Sequence, residues 1–265
     1  MCVVRNRDIE LPESMRQCIG ERSYSMDDVG LSGSAVLLFD DMVLKIEPYS
    51  EGQDTTVEMM HLLQDKLPIP QVLEYAVADG KSYLLMSRVD GEMCCSPYYM
   101  EHSEEMITLM AEGLHRLWNT VLDSCPRERT LQTDTQKALQ RIRGGRLSRE
   151  ELLECGFETA EDMAVWIETH PVQYDPVLSH GDYCLPNLLL KDGEISGYID
   201  IGGIGIADRY SDIVDCWNSL KNNFGGVFGG KVYEDFDPDV LFEKLNINID
   251  PVKFRYCRLI EKALS

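Results

Sequence analysis

Between Leu178 and Asp215 the chain carries His180-Gly181-Asp182, then Asn187, then Ile199-Asp200-Ile201-Gly202. Residues of these types at this spacing could serve the transfer of a phosphoryl group to a hydroxyl. That reaction asks mainly for positioning of the attacking oxygen and neutralisation of charge on the phosphates. Asp182 is the candidate base: its carboxylate can accept a hydrogen bond from the hydroxyl and take the proton late. Asn187 offers a neutral carbonyl oxygen and Asp200 a carboxylate, both hard ligands suited to Mg²⁺ bridging phosphates. An acidic loop with a capping Asn would give this order and spacing only by accident.

The elements that must position these residues can be read from patterning. NLLLKDGEISGYID reads as two short strands around Asp192-Gly193, a hairpin that would bring Asn187 and Asp200 to its two open ends. Upstream, 34–39, 42–46, 71–77 and 82–87 are short, apolar and β-prone, paired by turns at Asp40-Asp41 and Asp79-Gly80. Between the pairs, Val57, Met60, His61 and Gln64 mark a helix over 54–65 that Leu67-Pro68-Ile69-Pro70 ends. Beyond Asp90-Gly91, Met106, Ile107, Met110, Leu114, Leu117 and Trp118 form one face of a long helix over 103–120. Further helices are predicted at 133–143, 148–155, 159–169, 210–222 and 250–263, with a glycine-rich loop at Gly225–Gly230. The expectation is an α+β chain. Residues 1–88 would form a small antiparallel-sheet N-lobe with one helix, and residues 89–265 a larger, mainly helical C-lobe carrying the catalytic segment.

Composition narrows the partners. With 44% hydrophobic residues over 265 positions the chain can bury a sizeable core. No run approaches the length of a membrane span, and charge interrupts the apolar patch of MCVVRNRDIE before a signal-peptide core forms, so a cytoplasmic protein is expected. Nine cysteines, odd in number and scattered, read as reduced thiols; Cys94-Cys95 has neither redox nor zinc spacing. The 46 acidic against 25 basic residues give a net charge of −21, a field that repels nucleic acid and anionic membrane and attracts cationic small molecules. A monomer or weak dimer is expected.

The segment HGDYCLPNLLLKDGEISGYIDIGGIGIADRYSDI resembles the signature of the aminoglycoside 3′-phosphotransferases, a branch of the protein-kinase-like fold. The resemblance extends through KLPIPQVLEY, SYLLMSRVDGEMC and the C-terminal helix, from about residue 20 to 265. It implies a bilobal kinase-like fold, Mg²⁺, ATP or GTP as donor, and an aminoglycoside acceptor phosphorylated at its 3′-hydroxyl. It gives Lys45 the phosphate contact and Glu58 the pairing with that lysine, although an ungapped alignment back from KLP places Thr56 there. The backbone of Ser32, Gly33 and Ser34 would cover the phosphates. The purine would lie against Met86, Ser87 and Val89, with Val43, Leu189 and Ile199 as apolar walls. His180 would hold the loop; Asp208 and Asp212 also match family positions, but they flank a helix start where capping and dipole complementarity are sufficient explanations. Glu150, Glu151, Glu154 and Glu261, with Glu161 and Asp162 nearby, would receive ammonium groups. Several positions depart from the pattern: Gly203 and Asn218 stand where arginines are usual, Lys262 replaces an acid, Ala263-Leu264-Ser265 stands where aromatic endings occur, and Val43 falls where some members place an aromatic ring. Two other readings stay open, a kinase of the same fold for another hydroxylated amine or sugar, and a nucleotide-binding module without turnover.

Overall fold

The computed structural model describes residues 3–4, 10–27 and 35–265, with residues 3, 4 and 27 as backbone only. The chain divides into two compact units, Met1–Glu92 with Leu189–Gly202, and Met93–Leu188 with Gly203–Ser265.

In the first unit, β1 (Val3–Val4), β2 (Tyr24–Asp27), β3 (Ala35–Leu38), β4 (Met42–Pro48), β5 (Val72–Ala78) and β6 (Lys81–Ser87) form an antiparallel sheet in the order β1-β2-β3-β4-β6-β5. Strand alternation decides its faces. Met42, Leu44 and Ile46 of β4 join Leu37, Tyr83 and Leu85 in the core, while Val43, Lys45 and Glu47 point to the other side. Among the described residues two helices accompany the sheet. Helix α2 (Glu51–Leu63) opens where Gln53 Oε1 accepts the Ser50 N–H at 2.7 Å and buries Met59, Met60 and Leu63. Helix α1 (Glu13–Ile19) adds a second helix to the one expected; it sets Met15 and Ile19, one turn apart, into the core. Seven residues with two inward positions are too few to show a helical period in the sequence.

The predicted hairpin is present as β9 (Leu188–Lys191) and β10 (Glu194–Tyr198). Asp192-Gly193, like Asp79-Gly80 between β5 and β6, has positive φ at both residues, the signature of a type I′ turn. The hairpin groups with the first unit, not with the C-terminal one in which its sequence neighbours lie. Tyr198 N–H donates to Pro68 O at 2.8 Å, Lys191 pairs with Asp90, and a Cβ at Gly197 would meet Val89 at 2.4 Å.

The second unit begins at β7 (Glu92–Met93), which straddles the boundary, and continues through helices α3 (Pro97–Glu101), α4 (Ser103–Trp118), α5 (Leu131–Arg143), α6 (Arg149–Glu154) and α7 (Ala160–Thr169). It then forms β8 (Pro176–Ser179) and β11 (Gly205–Asp208), antiparallel partners, followed by α8 (Arg209–Phe224), α9 (Val240–Leu245) and α10 (Pro251–Leu264). All six predicted core positions of α4 are buried. Helix α10 packs on α5 and α8, and α4 on α9 and β8. A buried ion pair ties α10 to the start of α8: Lys253 Nζ lies 2.9 Å from Asp208 Oδ2 and donates to Gln173 O at 2.7 Å. Asp208 also caps α8, accepting from Tyr210 N–H, as its position before the helix predicts.

Candidate active site

Asp182 sits on a loop between β8 and Asn187 that the second unit holds from several sides. The loop begins with Gly181 at φ +82°, where an added Cβ would lie 2.5 Å from the Gly203 carbonyl oxygen. Only glycine supports that backbone and that approach. Asp212, fully buried on α8, accepts from Ser179 Oγ at 2.8 Å, from the N–H groups of His180 at 3.0 Å and Gly181 at 3.4 Å, and from Trp118 Nε1 at 3.3 Å. Burial pushes its carboxyl up to about 6, against the opposing pull of those donors. Asp212 lies in the first turn of α8, where the helix dipole favours an acid, and its side chain also clamps the loop preceding Asp182. Ser219 Oγ accepts the Leu185 N–H at 2.9 Å, and Tyr183 OH donates to Met110 O at 2.8 Å. His180 is buried edge-on to Tyr183, with ring centroids 5.8 Å apart.

Held in this way, Asp182 exposes its carboxylate. The buried Asn187 donates from Nδ2 to both Asp182 O at 3.0 Å and Asp182 Oδ2 at 2.9 Å. Its amide hydrogens are thereby committed, and Oδ1 is left as an oxygen donor for a metal.

In the first unit, Lys45 Nζ lies 2.9 Å from Asp200 Oδ1 and 3.3 Å from Glu47 Oε1. Burial alone would lower the Lys45 pKa, but the two carboxylates outweigh it and the net shift is upward. Asp200 occupies the left-handed region at φ +52°, which Asp tolerates better than most residues, and keeps an exposed carboxylate. The lysine is therefore paired with Glu47 and Asp200 and not with Glu58, which is exposed on α2. Helix rotation explains the difference. Thr56 Oγ1 donates to Gly202 O at 3.3 Å, and position 58 lies about 200° further round the helix. Glu47 was missed, although its place two residues beyond Lys45 on one strand puts both side chains on one face.

The expected purine contacts also fall in this unit. Val43 and Met86 stand directly opposite on β4 and β6, on the face away from the core, while Leu189 is buried and Ile199 half-buried. Ser87 is engaged with Gln71 through both its N–H and its Oγ, at 2.8 Å each. Val89 packs against Gly197, and among the described residues its N–H makes no intramolecular hydrogen bond. Ser32, Gly33 and Ser34 lie outside the described residues.

The expected acceptor carboxylates separate into two kinds. Glu151 is occupied locally, capping α6 through the Ser148 N–H at 2.8 Å and pairing with Lys262 at 3.0 Å; these contacts lower its pKa to about 2. Glu150 and Glu154 are exposed on α6. Glu261 is half-buried, takes a hydrogen bond from Asn218 Nδ2 at 3.2 Å, and has its pKa raised by burial and, in part, by the negative charge of Asp182. Glu261 thus lies in the field of Asp182.

The profile of the Phosphotransferase enzyme family matches residues 28–240. An aminoglycoside 3′-phosphotransferase of Enterococcus faecalis is 30% identical over 213 residues, covering 77% of this chain and 76% of that protein. The enzyme of that name from Niallia circulans is 29% identical over 222 residues, covering 81% and 85%. Among solved structures, the aminoglycoside phosphotransferase APH(3″)-Id of Streptomyces rimosus superposes with a TM-score of 0.74 at 20% identity, covering 94% of this chain and 95% of that one. The kinase-like α+β fold and the clamped Asp182 loop agree with the sequence match: the chain belongs to the phosphotransferase enzyme family, with aminoglycoside 3′-phosphotransferases as its relatives.

Proposed function

We propose that the chain transfers the γ-phosphoryl group of a nucleoside triphosphate to a hydroxyl of an aminoglycoside, the 3′-hydroxyl by analogy with its relatives. The observation that carries the reading is Asp182, an exposed carboxylate on a loop whose backbone N–H groups are clamped by buried Asp212 and whose own Oδ2 is oriented by Asn187. The acceptor O–H donates to Asp182. As the new O–P bond forms and the bond to the nucleoside diphosphate breaks, the proton passes to the Asp182 carboxylate. Lys45 supplies the fixed positive charge toward the phosphates. Asn187 Oδ1 and the Asp200 carboxylate are the oxygens suited to Mg²⁺, which would neutralise phosphate charge when bound. Val43, Met86, Leu189 and Ile199 are assigned to the purine, the Val89 N–H to its edge, and the backbone of Ser32–Ser34 to the phosphates.

ATP is the donor to test first, because the Streptomyces rimosus relative has been seen with ADP and streptomycin. No helix among the described residues is long and apolar enough to cross a membrane, and a cytoplasmic monomer or weak dimer without nucleic-acid or membrane partners remains our assignment. The neutral Gly203 and Asn218 favour one further reading, a hydroxylated amine or sugar other than an aminoglycoside.

A coupled assay of ADP or GDP release, run with kanamycin, neomycin, glucose and choline, tests the assignment. Stimulation by kanamycin or neomycin is expected. Stimulation by glucose or choline alone would move the acceptor class to the second reading, and none by any acceptor would leave a binding module.

A further inference from the structure

Lys45 is the cation assigned to the nucleotide's phosphates, and its side chain is a flexible four-carbon stem that something must aim. Strand β4 lies between β3 and β6, so neighbours on both sides fix its backbone, with Lys45 opposite Val36 and Leu84 and Glu47 opposite Ser82. Residues 45 and 47 project from the same face of that strand, and Glu47 Oε1 comes within 3.3 Å of Lys45 Nζ. Both side chains are largely covered, at 24% relative exposure each. The second carboxylate on Lys45, that of Asp200 at 2.9 Å, is the more exposed of the two and is the one assigned to Mg²⁺.

Helix α2 brings no carboxylate of its own to the lysine. Of its acids, Asp54 accepts the Tyr49 and Tyr75 hydroxyls at 2.7 and 2.6 Å, and Glu51 and Glu58 are exposed. The helix reaches the site by another route: Thr56 Oγ1 donates to Gly202 O at 3.3 Å, two residues beyond Asp200. So α2 is fixed to β5 at Asp54 and to the Asp200 segment at Thr56, with no charge directed at Lys45.

We propose that Glu47 is the positioning residue for Lys45: from the lysine's own strand it holds the ammonium toward the phosphates of the nucleotide, in place of a glutamate on α2. An ammonium has three donor hydrogens. Glu47, which is not assigned to the metal, keeps one of them while Asp200 serves Mg²⁺, and the others remain for phosphate oxygens. Because Glu47 sits on a strand paired on both sides, its hold on Lys45 does not depend on where α2 stands. The inference rests on the nucleotide site of the proposed reaction and on no particular acceptor.

The test is Glu47→Gln, which keeps the side-chain length and removes the charge, with ADP and adenosine as probes in titration calorimetry. GDP and guanosine replace them if only the guanine nucleotide binds. Kd for ADP with Mg²⁺ is expected to rise about tenfold, the size of one hydrogen bond between charged groups, while Kd for adenosine, which has no phosphate, stays level. A purely structural role would lower Tm and weaken both probes alike. If Glu47→Gln does not fold, Glu47→Asp, which draws the charge back by one methylene, should show the same selective loss in smaller measure. A double-mutant cycle locates the effect: in a Lys45→Met background, Glu47→Gln should leave Kd for ADP where Lys45→Met has put it, because Glu47 acts through the lysine. Glu58→Gln should bind ADP as wild type does. An unchanged ADP Kd in Glu47→Gln, an effect that persists undiminished without Lys45, or a loss in Glu58→Gln in place of Glu47→Gln would each overturn the inference. A wild-type chain that binds neither nucleotide would overturn the proposed reaction as well. Nucleotide binding without phosphorylation of any acceptor would sink that reaction alone and leave Glu47 to be judged on the cycle.

Discussion

Asp182→Asn keeps the shape of the side chain and removes its ability to take a proton. A coupled diphosphate-release assay should show kcat reduced by about 10²- to 10⁴-fold, the usual contribution of a general base, with nucleotide Kd unaltered. Asp200→Ala removes both the proposed metal oxygen and the partner that Lys45 holds at 2.9 Å. Mg²⁺-dependent nucleotide binding, followed by calorimetry with and without the metal, should be lost. Both residues were picked out as candidates in the sequence because phosphoryl transfer demands particular side chains in a particular order, and a five-residue step from Asp to Asn is hard to obtain for other reasons. The partner of Lys45 was not. Glu58 was assigned by a helical register that could slip, and a slip from position 56 to 58 turns a side chain to the far side of α2, whereas Glu47 required only the alternation of β4.

At the scale of elements, α8 acts as a strut that reaches back to the loop it follows. Asp212→Ala would leave Ser179 Oγ and the His180 and Gly181 N–H groups without their buried acceptor. The expected cost is about 3 kcal/mol or more, visible as a lowered urea midpoint, and turnover should fall with it as the Asp182 loop loses its clamp. Lys253→Met should be as damaging, because it strands Asp208 as a buried unpaired charge beneath the start of α8; about 3 to 5 kcal/mol is expected by the same measurement. Long periodic helices such as α4, and the Asp-Gly turns of both hairpins, could be read in advance. The short elements α1, α9 and the β8–β11 ladder could not, since four to seven residues carry too little pattern and gain their stability from what they pack against.

The whole molecule carries a net charge of −21, and a field of that sign concentrates a polycation near the surface. KM for neomycin should rise several-fold between about 0.05 and 0.5 M KCl, while KM for the anionic nucleotide should fall or stay level. The division expected at 88/89 followed chain order, and a single cut cannot express what the chain does with β9 and β10. That hairpin leaves from Asn187 of one unit and returns through Asp200 of the other, with Pro68, Val89 and Asp90 as its companions. Recombination between relatives inherits this arrangement. A chimaera joined once near residue 92 would import a hairpin raised against a foreign Val89 and Pro68, whereas one that also retains Leu189–Gly202 from the recipient passes on the second unit with the hairpin's own neighbours intact.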